Sequence, residues 1–171
     1  MLKVRDIVLI ALLSVILFIQ KLLLMNIPNV QLTLFLIMLF SKKLNILSNI
    51  LICLVYVILD SIVFTAINGS MNLFFEPFIF LGLVIVPVTM NTIFKKVNNI
   101  WLLAIIMILY SLIYSWILII PGCIMFEMDI LTYLLGDIVW EISLSVSGFI
   151  SVLILYDPLE KIFDNYLKTD W

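Results

Sequence analysis

Apolar side chains run almost without interruption through this chain, and short polar clusters cut them into six blocks. Blocks of this length with few charges predict membrane-spanning helices, not soluble amphipathic ones. The first block covers residues 7–24 and breaks at Asn26-Ile27-Pro28-Asn29, where proline disfavours helix at its predecessor. A shorter second helix is expected over 30–40, closed by Ser41-Lys42-Lys43. A third follows over 44–66, before the turn cluster Asn68-Gly69-Ser70. Glu76-Pro77 opens a fourth that ends near Phe94, with proline suited to its first turn. The fifth is expected over 100–120, stopped by Pro121-Gly122, and the sixth over 133–156.

Beyond the sixth block, Asp157, Pro158 and Glu160 read as N-cap, first turn and capping-box acid of a separate short helix. Leu159, Ile162, Phe163, Tyr166 and Leu167 give it one apolar face, as for a helix lying flat on a membrane. The expected architecture is all-α. It is a single domain over 1–171, an integral membrane bundle of six transmembrane helices with a short amphipathic C-terminal helix.

Charge placement sets the orientation. Lys3, Arg5, Lys42, Lys43, Lys95, Lys96, Lys161 and Lys168 fall at the N-terminus, in alternate gaps and in the tail, and only Lys21 falls on the other side. By the positive-inside rule both termini are cytoplasmic, and the gaps near 25–30, 67–76 and 121–132 face outward. The expected location is the bacterial plasma membrane.

Composition agrees. Of the 171 residues 65% are hydrophobic and 12% charged, and the mean hydropathy is +1.33. Soluble domains hold roughly 45–50% apolar and 25% charged residues. Six spans leave no length for a soluble catalytic domain. Histidine is absent, which removes the commonest transition-metal ligand. Cys53 and Cys123 have no metal-type spacing. There is no phosphate-binding G-x-x-x-x-G-K-[ST] loop, HExxH or GxSxG, so neither ATP hydrolysis nor familiar hydrolytic chemistry is expected, and no cofactor, metal or nucleic acid.

The chemistry lies in acids at membrane depth. Asp60 falls in the third block, and Asp137 and Glu141 one turn apart in the sixth. An acid costs about 2.5–3.5 kcal/mol at a helix centre, and intramembrane acids mark functional sites. No lysine or arginine is expected at their depth. Glu76 caps the outer end of the fourth helix, while Tyr114, Trp116 and Trp140 add aromatic surface on the same side. Together these predict one outward-facing cavity for a small, partly polar ligand with a cationic or donor-rich group. Two plainer readings stand beside it: protonated acids hydrogen-bonded between helices, and Tyr114 and Trp116 as members of an interfacial aromatic belt. Ala11 and Ser14, with Ser143, Ser145, Ser147, Gly148 and Ser151, are small residues that allow close helix contact.

The run Asn26-Ile27-Pro28-Asn29-Val30-Gln31-Leu32-Thr33, leading into residues 34–41, resembles the first loop and second helix of energy-coupling factor (ECF) transporter S components. Gly136-Asp137-Ile138-Val139-Trp140-Glu141, and later Leu155-Tyr156-Asp157-Pro158-Leu159, resemble that family's sixth helix and its exit. These are six-helix membrane proteins that capture vitamins from outside and release them inside after joining a transmembrane scaffold subunit and two ATPase subunits. The resemblance implies that Asn29 and Gln31 belong to a gating loop and that Asp137, Trp140 and Glu141 line the site. The family's first helix carries an alanine pair four apart that meets the scaffold. Here Ala11 is followed at that spacing by Val15, with Ser14 nearby. The competing expectations are a proton-coupled secondary transporter of a small solute and a non-transporting assembly subunit.

Overall fold

A computed structural model describes residues 3–27, 32–68 and 74–168. Six helices account for nearly all of them: α1 (Val4–Leu24), α2 (Thr33–Lys43), α3 (Ile46–Asn68), α4 (Glu76–Thr92), α5 (Ile100–Phe126) and α6 (Ile130–Lys168). No strand occurs among the described residues. α1, α3, α5 and α6 are long and apolar enough to cross a membrane. Large apolar side chains such as Leu12, Ile62, Leu109, Val139 and Ile154 are exposed along them, which is compatible with a lipid surrounding.

α2 departs most from the expected set of six similar spans. Its 11 residues reach about 16 Å, half of a roughly 30 Å hydrocarbon core. Every residue from Thr33 to Ser41 is buried. A helix that is apolar all round is either enclosed by protein or surrounded by lipid, and the burial of this one shows the first. The other helices form an arc, α1–α3–α4–α5–α6, in which each touches its neighbours, and α2 touches all five from within. Phe35, Met38 and Leu39 are fully enclosed there.

Polar side chains close the ends of α2. Gln20 of α1 accepts the Leu32 backbone N–H through Oε1 (2.9 Å) and donates through Nε2 to the Thr33 hydroxyl (2.6 Å). Buried Asn49 of α3 donates to the Leu44 and Asn45 carbonyls at 3.2 and 3.0 Å. Lys42 donates to the carbonyls of Phe94, Lys95 and Val97, capping the α4–α5 turn. Lys43 reaches Glu160 at 2.8 Å and Asp164 at 2.7 Å on α6. The bundle therefore has a basic end, with the α2–α3 and α4–α5 turns and the start of α1, and an opposite end with the other three connections.

Two expected helix ends are corrected. Pro121-Gly122 does not stop α5, which runs on to Phe126. Interior proline removes a hydrogen bond and costs about 3 kcal/mol. Here Pro121 is buried, and the missing Cβ of Gly122 lets the Tyr133 ring close in, since a Cβ would collide with that ring. Helix α5 ends instead at Glu127, whose left-handed backbone (φ 52°) turns Met128 N–H back to the Cys123 carbonyl at 3.2 Å. Asp129 then caps α6, accepting from the Thr132 N–H (2.9 Å) and hydroxyl (2.6 Å). Likewise, Asp157-Pro158 does not start a separate surface helix, because α6 is continuous for 39 residues. Pro158 leaves the Ile154 carbonyl without its donor at a highly exposed position. The Lys43 ion pairs and the Phe163 ring 5.3 Å from Phe40 hold the extension against the end of α2.

Candidate functional site

α1 and α3 cross closely because Ser14 is small. Its hydroxyl donates to Ile10 O at 2.8 Å and to Ile52 O across the interface at 3.3 Å. Ser14 is wholly buried, so of the two contacts expected of such small residues, within the chain or with another subunit, its own is internal and joins α1 to α3. Ala11 is exposed on the other face.

About two turns further along α1 stand Gln20 and Lys21. Lys21 Nζ meets Asp60 Oδ2 of α3 at 2.6 Å. The expectation that no cation lies at the depth of Asp60 is therefore overturned. Lysine's long stem carries its ammonium from a third-exposed position back to a carboxylate that is 11% exposed. Burying two charges together is tolerable where geometry is good and the remaining lone pairs find partners.

The next residue, Ser61, donates its hydroxyl to the Glu76 carboxylate, and Asp60 and Lys21 both lie within electrostatic reach of Glu76. Glu76 opens α4 with Pro77 in its first turn. Its Oε2 is fully buried and has no hydrogen-bond partner among the described residues. Tyr56, one turn before Asp60 and almost wholly buried, shares a hydrogen bond with Thr33, and both Asp60 and Glu76 lie near it. Tyr114 of α5 completes the group beside the same two acids. Its ring fits only because residue 82 is glycine, where a Cβ would stand 2.7 Å from Tyr114 Cδ2.

Asp60, Glu76 and Tyr114 are thus brought together as expected, and Lys21, Gln20, Thr33, Tyr56 and Ser61 join them. The signal for the additional residues was the Gln20-Lys21 pair inside an apolar run. Two carboxylates face one ammonium, so the group carries one formal negative charge in excess. It offers an unpartnered carboxylate oxygen and two phenols to a ligand that brings a cationic or hydrogen-bond-donating group.

The remaining expected residues separate from this group. Asp137 accepts from Ser115 at 2.8 Å, between α5 and α6. Glu141 stands one turn further along α6, with a buried, unpartnered Oε1. The acids therefore form two groups, not one. Tyr114 and Ser115 are adjacent in sequence yet project to different neighbours, which is how α5 stands between them. Trp116 is 55% exposed on a stripe with Leu109, Ile113 and Ile120, so it belongs to the exposed apolar surface of α5 and does not join the Asp60 group. Trp140 is also exposed, at 43%. Asn29 and Gln31 lie outside the described residues. Among those described, no cluster of three or more His, Cys, Asp or Glu could hold a metal ion. No protein-family model, curated protein or solved structure matches the chain.

Proposed function

We propose that this chain is the solute-capture subunit of a membrane importer, taking up a small vitamin-like molecule with an amine or other donor-rich group. The observation that carries the reading is Glu76 Oε2, buried without a partner beside the Lys21–Asp60 ion pair and two tyrosines. An uncompensated carboxylate oxygen is expensive in hydrocarbon, and a ligand's N–H or cationic group compensates it. The group lies at the end of the bundle opposite the basic clusters, hence on the outer side by the positive-inside rule, with both termini cytoplasmic. Six crossings in this reading include α4 and the short, enclosed α2. The sequence carries no ATP-binding loop, so energy would come from partners. That division of labour is what the resemblance to ECF S components implies, with a scaffold subunit and two ATPases.

The decisive measurement is mass spectrometry of small molecules retained by the purified chain, followed by calorimetric titration of the compound found. Wild type should bind it, and Glu76→Gln should lose at least tenfold in affinity while remaining folded. Unchanged affinity in Glu76→Gln would place the ligand elsewhere. A second reading, proton-coupled transport by this chain alone, draws on the same ion pair, since a proton on Asp60 would release Lys21. Reconstituted vesicles separate the two. Uptake that needs co-reconstituted ATPases and survives a protonophore supports capture, and uptake by the chain alone that a protonophore abolishes supports the alternative.

A further inference from the structure

The seam between α5 and α6 holds a second polar group that shares no residue with the first. The register of the seam is fixed at three levels. Gly122 faces Tyr133, Ser115 donates to Asp137, and Gly148 faces Met107 and Ser111. Glu141 and Ser145 fall between the second and third levels on that same face of α6, each one turn from the next. Opposite them α5 presents Ser111 and Ser115, which are 1% and 8% exposed.

Two oxygens here lack partners among the described residues. Glu141 Oε1 is fully buried without a hydrogen bond, and so is Ser145 Oγ, on a residue only 9% exposed. The serine is the telling one. Ser14, Ser41, Ser111 and Ser151 each donate to the carbonyl four residues back in their own helix. Ser145 has the same option with the Glu141 carbonyl and does not take it. Buried hydroxyls without partners are rare, because the group loses its hydrogen bonds to water and gains none in return. Every polar side chain of the seam ends in oxygen, and no lysine or arginine is paired with it among the described residues.

We infer that Glu141 and Ser145, supported by Asp137 and the α5 serines, form a binding site for a small alkali cation of the sodium class within the α5–α6 seam. Carboxylate and hydroxyl oxygens are ligands for hard cations, and no nitrogen ligand is named among them to favour a softer one. Asp137 already accepts from Ser115, which leaves Glu141 as the seam carboxylate whose oxygen is free to take the ion. The bound ion would tie α6 to α5 at a level where their apolar contacts are interrupted.

The test uses the full chain in detergent at constant ionic strength, with choline chloride progressively replaced by sodium chloride. Thermal unfolding is followed by tryptophan fluorescence, for which Trp140 lies beside Glu141. Sodium should raise the midpoint saturably, by several degrees, and Glu141→Gln and Ser145→Ala should abolish the rise. Ser151→Ala, which removes a hydroxyl two turns on that already has its partner, should keep it. Direct binding of radiolabelled sodium to wild type, near one ion per chain, guards against a variant that fails to fold. No saturable sodium response, an equal response to choline, or an undiminished response in Ser145→Ala would overturn the site.

Discussion

Lys21 of α1 and Asp60 of α3 form an ion pair of 2.6 Å, with Glu76 of α4 close enough to feel both charges. Removing one member of a buried pair strands the other and costs about 3–5 kcal/mol. Lys21 is a third exposed, so Lys21→Met should cost less, about 2–3 kcal/mol. The double variant Lys21→Met/Asp60→Leu should recover most of that loss, because apolar replacements suit this depth, yet it should not bind the solute. Chemical denaturation in mixed micelles checks the first statement, and ligand titration checks the second. A double variant as unstable as the single one would show that the pair itself holds α1 to α3.

Gly82 and Gly136 provide a matched comparison. A Cβ at Gly82 would stand 2.7 Å from Tyr114 Cδ2, whereas at Gly136 it would meet nothing within 4 Å. Gly82→Ala should therefore displace the Tyr114 ring, cost about 1–3 kcal/mol by overpacking, and weaken solute binding several-fold. Gly136→Ala should leave binding unchanged and stabilise by about 0.5–1 kcal/mol through helix propensity. Melting curves and titrations of both variants measure the contrast directly.

Much of this arrangement is legible in residue order, because it depends on local chemistry. Apolar run lengths locate the helices, and the alternation of basic clusters anticipates that Lys42, Lys43 and the 93–99 turn share one end, as the Lys42 contacts with Phe94 and Val97 require. The Asp60–Glu76–Tyr114 grouping follows from placing each at the same depth. What residue order hides is tertiary. Depth counted from gaps assigns Lys21 to a loop boundary, but its flexible stem reaches back to Asp60. Depth also says nothing of azimuth, so Asp137 and Trp116 read as neighbours of Asp60 although α5 turns them elsewhere. Pro121 and Pro158 read as helix ends because a proline's local cost is visible and the packing that offsets it is not.

The Lys43 clamp makes the C-terminal extension of α6 sensitive to alkali. Burial lowers the Lys43 pKa, but hydrogen bonds from its ammonium to Asp164 and Glu160 outweigh that and raise it above the ordinary lysine value. A group whose pKa rises on folding contributes stability that is complete below its unfolded value and lost as pH climbs through the folded one. The extension should stay ordered through neutral pH and loosen above the usual lysine range near pH 10.4. Hydrogen exchange over 157–166 measures this after correction for the intrinsic rate. Lys43→Met should show faster exchange at neutral pH and no further alkaline step.

Asp129 should give the opposite limb. Hydrogen bonds from the Thr132 hydroxyl and backbone N–H hold its carboxyl below the ordinary range. A depressed pKa contributes stability above the unfolded value and loses it as pH falls through the folded one. The first turn of α6 should therefore fray only at acid pH, below the usual aspartate value near 3.9. Asp129→Ala should fray it at neutral pH, and the Thr132 amide is the site at which exchange reports both.

Glu127 ends α5 in the left-handed region at φ 52°, a conformation that costs a residue with a Cβ about 1–2 kcal/mol. Its backbone N–H still reaches the Cys123 carbonyl, so the cap depends on backbone geometry and not on the side chain. Glu127→Gly should therefore raise stability, by roughly 1 kcal/mol, because relief of the steric cost exceeds the added freedom of the unfolded chain. Glu127→Val should lower it, since a β-branched side chain tolerates positive φ worst. The Gly122–Tyr133 contact lies one turn back along α5 and constrains the same corner. If Glu127→Gly melted below wild type, the carboxylate itself would have to be holding the α5–α6 turn. Comparing Glu127→Gln with Glu127→Gly separates that role from the backbone one.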